Sequence, residues 1–208
     1  MSKTGQFITL EGGEGTGKST LIQGLKRELQ AKGLSIDVTR EPGGTPLAEQ
    51  VRALALTPPE DQAWSPISHA LLMNTARSDH LEKRIRPALE RGEWVICDRF
   101  ADSTRAYQSI DGVPMETLLN IERSVVGATQ PNLTLILDAD PAALLERRTA
   151  RGVQDVFELK AADFHESIRA AFLAIAEAEP ERCVVMDALQ TPEDVLEQAL
   201  RVIEQRLS

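Results

Sequence analysis

The sequence predicts an α/β fold with a five-stranded, mostly parallel sheet and helices on both of its faces. Short apolar runs alternate along the chain with longer segments of helical periodicity, which is typical of parallel strands joined by helical crossovers. Charged residues also lie at or just past the strand ends, where the ligands of such sheets bind. The strands cover residues 7–10, 36–39, 94–97, 133–137 and 183–186, and the charged residues at their ends are Glu11, Arg40, Asp98, Asp138 and Asp187.

The predicted helices fill the intervals between these strands. In the first helix, Leu21, Ile22, Leu25 and Leu29 recur at helical spacing, as expected for one buried face. Gly33 follows where the helix is expected to end. Further helices are predicted at about 46–54, 66–90, 114–126, 141–150, 160–178 and 192–206.

Prolines mark the ends of some of these helices and one bend. Pro141 and Pro192 suit first helical turns, with Asp140 and Thr191 as the preceding N-caps. Pro87 lies inside the long helix and is predicted to bend it, because proline cannot donate the helical hydrogen bond. The less regular segment at about 148–158 is predicted to form a small mobile lid on a single domain, residues 1–208.

Composition narrows the function classes. The formal net charge of −9, from 23 Lys plus Arg against 32 Asp plus Glu, argues against a nucleic-acid polymer as partner, because a phosphate backbone requires a broad basic surface. No apolar run approaches the roughly 18 residues of a membrane span, and no signal-peptide core is found. We therefore expect a cytoplasmic protein with no membrane partner. Cys97 and Cys183 lie in apolar runs and are expected to be buried free thiols.

The strongest motif is a glycine-rich loop between the first strand and the first helix. It reads Gly12, Gly13, Glu14, Gly15, Thr16, Gly17, Lys18, Ser19 and is followed by Thr20, which matches G-x-x-x-x-G-K-[ST]. Glycines let successive backbone N–H groups turn towards phosphate oxygens, the lysine neutralises the terminal phosphates, and the serine hydroxyl ligates Mg²⁺. The loop therefore predicts a nucleotide phosphate site that extends to Thr20.

A second motif, Asp98-Arg99, closes the strand at 94–97. A carboxylate at a strand end beside a phosphate loop is suited to positioning Mg²⁺, usually through a bound water. Asp98 and Ser19 are thus the candidate metal residues. Arg99 could bridge the phosphates of two substrates, a bidentate task to which arginine is better suited than lysine.

The two motifs fit a kinase or a nucleotide-driven switch. A guanine-specific switch would be expected to carry an Asn-Lys-x-Asp motif, but none of Asn74, Asn120 and Asn132 precedes a lysine. That observation lowers the expectation of a switch and leaves a small-molecule kinase as the favoured hypothesis.

Several further segments resemble the bacterial thymidylate kinase family. They are residues 7–20 (FITLEGGEGTGKST), 39–47 (TREPGGTPL), Arg77, 98–100 (DRF) and 103–108 (STRAYQ). The resemblance implies a P-loop three-layer sandwich that transfers the γ-phosphate of ATP to dTMP, giving dTDP and ADP in dTTP biosynthesis. It also implies Mg²⁺ as cofactor and a homodimer.

The resemblance assigns roles at matching positions. It implies that Glu14 engages the sugar 3′-hydroxyl of dTMP and that Arg77 contacts the base. Tyr107 is expected to crowd the sugar 2′ position. Met73 replaces the usual aromatic residue four positions before Arg77, and is expected to pack against thymine. The remaining implied acceptor residues are Arg40, Glu41, Pro42, Arg99, Ser103, Thr104 and Gln108.

The family supplies transition-state charge either from an arginine in the phosphate loop or from lid arginines. Gly15 follows Glu14 here, so the resemblance implies the lid design, with Arg151 as catalytic residue and Arg147 or Arg148 nearby. Arg147 is also implied to cover the adenine of ATP. Val156 stands where the family has a further lid arginine, which leaves open an inactive, structural family member. Another nucleoside-monophosphate or small-metabolite kinase is the nearest alternative.

Overall fold

A computed structural model describes residues 5–59, 62–144 and 162–207, and contains the predicted five-stranded sheet. Its strands are β1 (Phe7–Gly12), β2 (Ile36–Arg40), β3 (Trp94–Asp98), β4 (Leu133–Asp138) and β5 (Cys183–Asp187). Their spatial order is β2-β3-β1-β4-β5, and every neighbouring pair is parallel. The predicted strands are confirmed, each one or two residues longer at its carboxyl end, and the sheet is entirely parallel.

Helices connect the strands. They are α1 (Lys18–Ala31), α2 (Pro46–Leu56), α3 (Pro66–His80), α4 (Arg86–Glu90), α5 (Ala101–Ile110), α6 (Met115–Val126), α7 (Ala162–Ala178) and α8 (Pro192–Leu207). Residues 141–144 are also helical, and the Asp140 carboxylate accepts hydrogen bonds from the backbone N–H groups of Ala142 and Ala143. The predicted N-caps Asp140 and Thr191 are therefore confirmed.

Helix α5 was absent from the sequence prediction, which was wrong there. Its buried side chains include Asp102, Thr104, Arg105 and Gln108, so its inner face lacks the apolar periodicity that identifies a helix. Several of those groups are paired inside the fold: Asp102 pairs with Arg182 at 2.7 Å and with Arg105 at 3.1 Å, and the Thr104 hydroxyl accepts from Arg77.

The long helix predicted at 66–90 is continuous but changes its winding. Between α3 and α4, residues Leu81–Ile85 form a π-helical turn, in which the backbone N–H of Arg86 bonds to the carbonyl of Leu81. Pro87 follows directly and cannot donate to an earlier carbonyl, which favours a wider turn before it. Where a bend was predicted at Pro87, the structure has a π turn that ends at Ile85.

Successive side chains of each strand point to opposite faces of the sheet, so the hydrophobic core has one part on each face. Ile8 and Leu10 of β1 pack with α1 and α8, whereas Phe7 packs on the other face with the segment that joins α3 to α4. Cys97 and Cys183 are buried free thiols, as predicted. Across the described ranges, no helix is long and apolar enough to cross a membrane.

The parallel register brings the carboxyl ends of β1, β2 and β3 together. Asp98 pairs in register with Leu10 of β1 on one side and Arg40 of β2 on the other. The glycine-rich loop follows β1, so it lies beside the carboxyl end of β3. The lid predicted at about 148–158 lies outside the described residues.

Candidate active site

The glycine-rich loop joins β1 to α1 and holds its lysine against its own backbone. The Lys18 ammonium donates to the carbonyls of Gly12 at 3.1 Å and Gly13 at 2.7 Å. Burial, with a contribution from Arg99 nearby, lowers the pKa of Lys18 to about 8. A phosphate beside this ammonium would favour its charged form. Binding of an anionic ligand would therefore raise the pKa of Lys18 again.

Arg99 ties the loop to the start of α5. It adopts a positive φ of 67°, and its Nη1 donates to the carbonyl of Gly12 at 3.1 Å and to the Ser103 hydroxyl at 3.0 Å. Its guanidinium also lies 5.3 Å from the ring centre of Tyr107, within cation–π range. The predicted residues Arg99, Ser103 and Tyr107 therefore form one group beside the loop.

Glu11, the last buried carboxylate before the loop, organises this turn. It accepts hydrogen bonds from the backbone N–H of Phe100 at 2.7 Å and from the Ser103 hydroxyl at 2.6 Å. Complete burial raises its pKa to about 7, and the charge of Asp102 adds to the effect. The Ser103 hydroxyl thus bonds to both Glu11 and Arg99, and its role as an acceptor residue stays a prediction.

Arg77 and Glu41 form a buried ion pair at the wall of a cleft between α2, α3 and α5. Nε of Arg77 donates to Oε2 of Glu41 at 2.8 Å, and its Nη2 donates to the Thr104 hydroxyl at 2.9 Å and to the carbonyl of Phe100. The cleft encloses about 220 Å³. Its lining contains the predicted residues Glu14, Glu41, Pro42, Met73, Arg77, Arg99, Ser103, Thr104, Tyr107 and Gln108; we call it the acceptor cleft.

Arg40 lies apart from that cleft. Its Nη2 donates to both carboxylate oxygens of Glu49 at 3.1 and 3.0 Å. It lines a separate polar cleft of about 330 Å³ together with Ser19 and Asp98, the two predicted metal residues. The structure thus brings the metal candidates together but separates Arg40 from the other acceptor residues.

The polar cleft suits a hydrated divalent cation that is completed by phosphates. Oδ1 of Asp98 is buried and has no hydrogen-bond partner in the described part of the chain, so it can accept from a metal-bound water. No three His, Cys, Asp or Glu side chains converge as ligands in that part. Mg²⁺ commonly uses one or two protein ligands together with substrate phosphates, and this donor set fits that pattern.

Two more clefts flank the phosphate loop on its other side. One of about 110 Å³ is lined by Gly15, Gly17 and Thr20 of the loop region, by Gln190 before α8 and by Pro192 at the start of α8. The other, of about 170 Å³, lies between Gly13, Glu14 and Phe172 of α7. Glu14 lines both this second cleft and the acceptor cleft, so the loop separates spaces that could hold two ligands. Arg147, Arg148, Arg151 and Val156 lie outside the described residues.

Comparison with known proteins gives one family. A sequence model described as thymidylate kinase matches residues 10–199. A thymidylate kinase of Caulobacter vibrioides is 50% identical over 204 residues, covering 98% of each chain. One of Pseudomonas fluorescens SBW25 is 48% identical over 188 residues, covering 90% of this chain and 89% of its own. The chain belongs to the thymidylate kinase family. The crystal structure of thymidylate kinase from Ehrlichia chaffeensis matches with a TM-score of 0.74 at 30% identity, covering 96% of this chain and 98% of that one.

Within this thymidylate kinase fold, the acceptor cleft contains residues that sequence reasoning missed. The sequence pattern showed no aromatic ring four positions before Arg77, but the structure brings one to it from elsewhere: the Arg77 guanidinium lies 5.2 Å from the ring centre of Phe100, a residue of the cleft. Arg52 also lines the cleft, and its Nη1 donates to the carbonyl of Pro42 at 2.7 Å. The sequence feature that could have pointed to Arg52 is its position shortly after the TREPGGTPL segment. Leu56 and His69 complete the additions.

Proposed function

We propose that the chain transfers the γ-phosphate of ATP to dTMP, with the donor on the phosphate loop and dTMP in the acceptor cleft. Family membership makes the chain a phosphotransferase that acts on dTMP. The assignment of donor and acceptor to these two places rests on the position of Arg99. Its guanidinium lines the acceptor cleft and donates to the carbonyl of Gly12 in the phosphate loop, so a single cation lies between the two sites.

The acceptor cleft offers complementary groups for a pyrimidine nucleotide. Met73 and Phe100 supply apolar contacts for a base, and the Gln108 amide can pair with its polar edge. The Arg77 guanidinium donates one N–H from Nε, one from Nη1 and both from Nη2 to groups of the protein. One Nη1 N–H thus has no partner among the described residues and is available to a base carbonyl.

The phosphate of the acceptor needs cations that are not already neutralised. Arg77 is paired with Glu41, which leaves Arg52 and Arg99 as the other guanidinium groups of the cleft. Arg99 is shared with the phosphate loop, so we assign it to the reacting phosphates and Arg52 to the acceptor phosphate. Arginine suits both tasks because its planar donors match phosphate oxygens.

Catalysis in this arrangement works by positioning and electrostatics, with no covalent enzyme intermediate. Lys18 and Arg99 would neutralise charge on the migrating phosphoryl group. Ser19, and Asp98 through water, would hold Mg²⁺, which neutralises phosphate charge when bound. We retain Arg151 as the predicted lid cation and Arg147 as the predicted adenine cover, on the family resemblance alone.

Two substitutions test the role of the phosphate loop. Lys18→Ala should lower turnover by at least about 100-fold, because it removes a fixed cation from the transferring phosphates. Its far-ultraviolet circular dichroism should stay that of the wild type. Lys32→Ala, at an exposed position after α1, is the matched control and should leave turnover unchanged. Near-normal turnover of Lys18→Ala would contradict the mechanism.

An acceptor panel tests the substrate. ADP release should be measured in a coupled assay with dTMP, dUMP, dGMP, AMP and shikimate at equal concentrations. We expect the highest kcat/KM for dTMP, because the cleft combines apolar packing with a polar pyrimidine edge. No preference for dTMP would favour another small-molecule kinase. Nucleotide binding without acceptor-dependent ADP release would favour a switch or an inactive member.

We also propose that a second copy of the chain covers the apolar surface of α2, α3 and α6, and that the protein is cytoplasmic. Five apolar side chains there are between 38% and 50% exposed: Leu47, Leu54, Ile67, Leu71 and Met115. Light scattering should give about twice the 22.8 kDa chain mass. Leu71→Glu should give a monomer and Leu189→Glu, outside this surface, should not. A monomeric wild type would contradict the homodimer.

A further inference from the structure

The Glu41 carboxylate is held from two sides by buried groups. Oε2 accepts from Nε of Arg77 at 2.8 Å, and Oε1 lies 3.0 Å from Nδ1 of His80. The side chains of Glu41, Arg77 and His80 are 2%, 3% and 0% exposed. Because Nε2 of the ring faces the Thr39 hydroxyl, which can donate to it, we assign the ring proton to Nδ1, where it can donate to Oε1 of Glu41.

His80 is itself fixed on its far side. The Thr39 hydroxyl lies 2.7 Å from Nε2, and Gly44 packs so closely that a Cβ there would lie 2.3 Å from the same nitrogen. The ring therefore has hydrogen bonds at both nitrogens and no room to turn. It can transmit the position of β2 to Glu41.

Arg77 depends on this arrangement for its orientation. Its Nη1 and Nη2 atoms are bonded to Asn74 and Thr104, and Nε is bonded to Glu41. A planar guanidinium with fixed partners along both edges has little freedom, so its remaining Nη1 N–H keeps one direction. If Glu41 turned, the guanidinium would lose its Nε anchor and that direction would change.

We propose that His80 is a positioning residue for the acceptor: it holds Glu41, and through Glu41 the Arg77 guanidinium, without lining the cleft itself. The inference rests on the proposed function of the acceptor cleft. Loss of the His80 proton donor would leave Oε1 of Glu41 buried with one fewer donor, which is costly. The carboxylate would then move towards other donors and carry Arg77 with it. Binding of a pyrimidine nucleotide would weaken, and the transfer step would be little affected.

A matched pair of substitutions tests this chain of contacts. In His80→Asn the amide nitrogen lies at the same number of bonds from Cβ as Nδ1, so it can still donate to Glu41. In His80→Gln the amide nitrogen instead matches Nε2 and can reach only Thr39. We expect His80→Gln to raise the KM for dTMP about ten-fold, and His80→Asn to stay within about three-fold of the wild type. The kcat and the KM for ATP should change less than two-fold in both.

Further variants separate positioning from stability. Thr39→Val removes the outer hydrogen bond of His80 and should raise the KM for dTMP in the same direction, by less. His80→Gln combined with Glu41→Gln should be no worse than Glu41→Gln alone, because both act through one carboxylate. Thr39→Val keeps the test available if the His80 variants fail to fold, and an unchanged KM for dTMP in that variant would overturn the inference.

Several results would overturn the inference. Equal KM values for the Asn and Gln variants, a loss of kcat without a change in the KM for dTMP, or additive losses in the double variant would each do so. The proposed function fails separately, if wild-type protein shows no ADP release that depends on dTMP. A wild type that turns over dTMP beside a His80→Gln variant with unchanged KM rejects only the role of His80.

Discussion

Glu11→Gln should remove a specific pH dependence from the stability of the protein. Glu11 is fully buried below the phosphate loop, and burial raises its pKa from an ordinary value of 4.5 to about 7. Between these pH values the native state keeps a proton that the unfolded chain has lost. The free energy of unfolding must therefore fall as pH rises through this range. Its contribution is complete below pH 4.5 and absent above pH 7.

The size of the effect follows from that pKa. One pH unit of difference is worth about 1.36 kcal/mol, so raising the pKa of Glu11 to about 7 corresponds to about 3 kcal/mol in total. Between pH 5 and pH 8 the wild type should lose about 2 to 3 kcal/mol of this contribution. Glutamine cannot ionise, and its amide oxygen can still accept from the backbone N–H of Phe100. The cost or gain of the substitution itself is therefore independent of pH.

Urea unfolding at pH 5, 6, 7 and 8 measures this difference. The free energy of unfolding of Glu11→Gln minus that of the wild type should rise by about 2 to 3 kcal/mol across the series. Glu204→Gln, at an exposed position of α8, is the control and should run parallel to the wild type. Parallel wild-type and Glu11→Gln curves would refute the reasoning, because they would show that Glu11 titrates alike in both states.

Three further outcomes are expected. Gly44→Ala should lower the free energy of unfolding in urea by more than about 2 kcal/mol, because the new Cβ would overlap His80. Gly33 has a similar positive φ but open space around it, so Gly33→Ala should cost only about 1 kcal/mol. Equal costs for the two variants would contradict the close packing of Gly44 on His80. Arg52→Ala should raise the KM for dTMP at least about ten-fold and leave the KM for ATP unchanged. Steady-state kinetics with each substrate varied in turn measures both values, and a rise in both would contradict the assignment of Arg52 to the acceptor phosphate. Cys97, whose thiol is buried with a raised pKa, should react with a disulfide reagent only on unfolding; rapid labelling of native protein would contradict its burial.

The strands and the phosphate loop could be read from the sequence because each is a local pattern. β1 and β3 are short, largely apolar runs, as is typical of buried parallel strands, and the loop must present glycine, lysine and serine at fixed spacing to bind phosphate. Asp98 and Ser19 were predicted from a strand end and a motif, and the structure places both in the polar cleft. Their role as metal residues stays a prediction, as do the roles of Arg147 and Arg151.

Contacts between segments that are distant along the chain could not be predicted from the sequence pattern. Helix α5 escaped detection because its inner face is polar, and that polarity makes sense only once Asp102 meets Arg182. Met73 was expected to pack against the base because it stands where the family has an aromatic residue, and the spacing pattern could not show whether a ring from another segment lies near Arg77. The ring is Phe100, which comes from the turn after β3, 23 residues along the chain from Arg77.

The sequence by itself determined the fold class, the family and the place of the phosphate loop, since periodicity and motifs are properties of neighbouring residues. Only the tertiary structure decided how the site is supported. It placed Arg40 with Glu49 in the polar cleft, gave the Ser103 hydroxyl to Glu11 and Arg99, and buried Glu41 between Arg77 and His80. These pairings depend on the order of strands in the sheet, which brings together residues that no spacing along the chain relates.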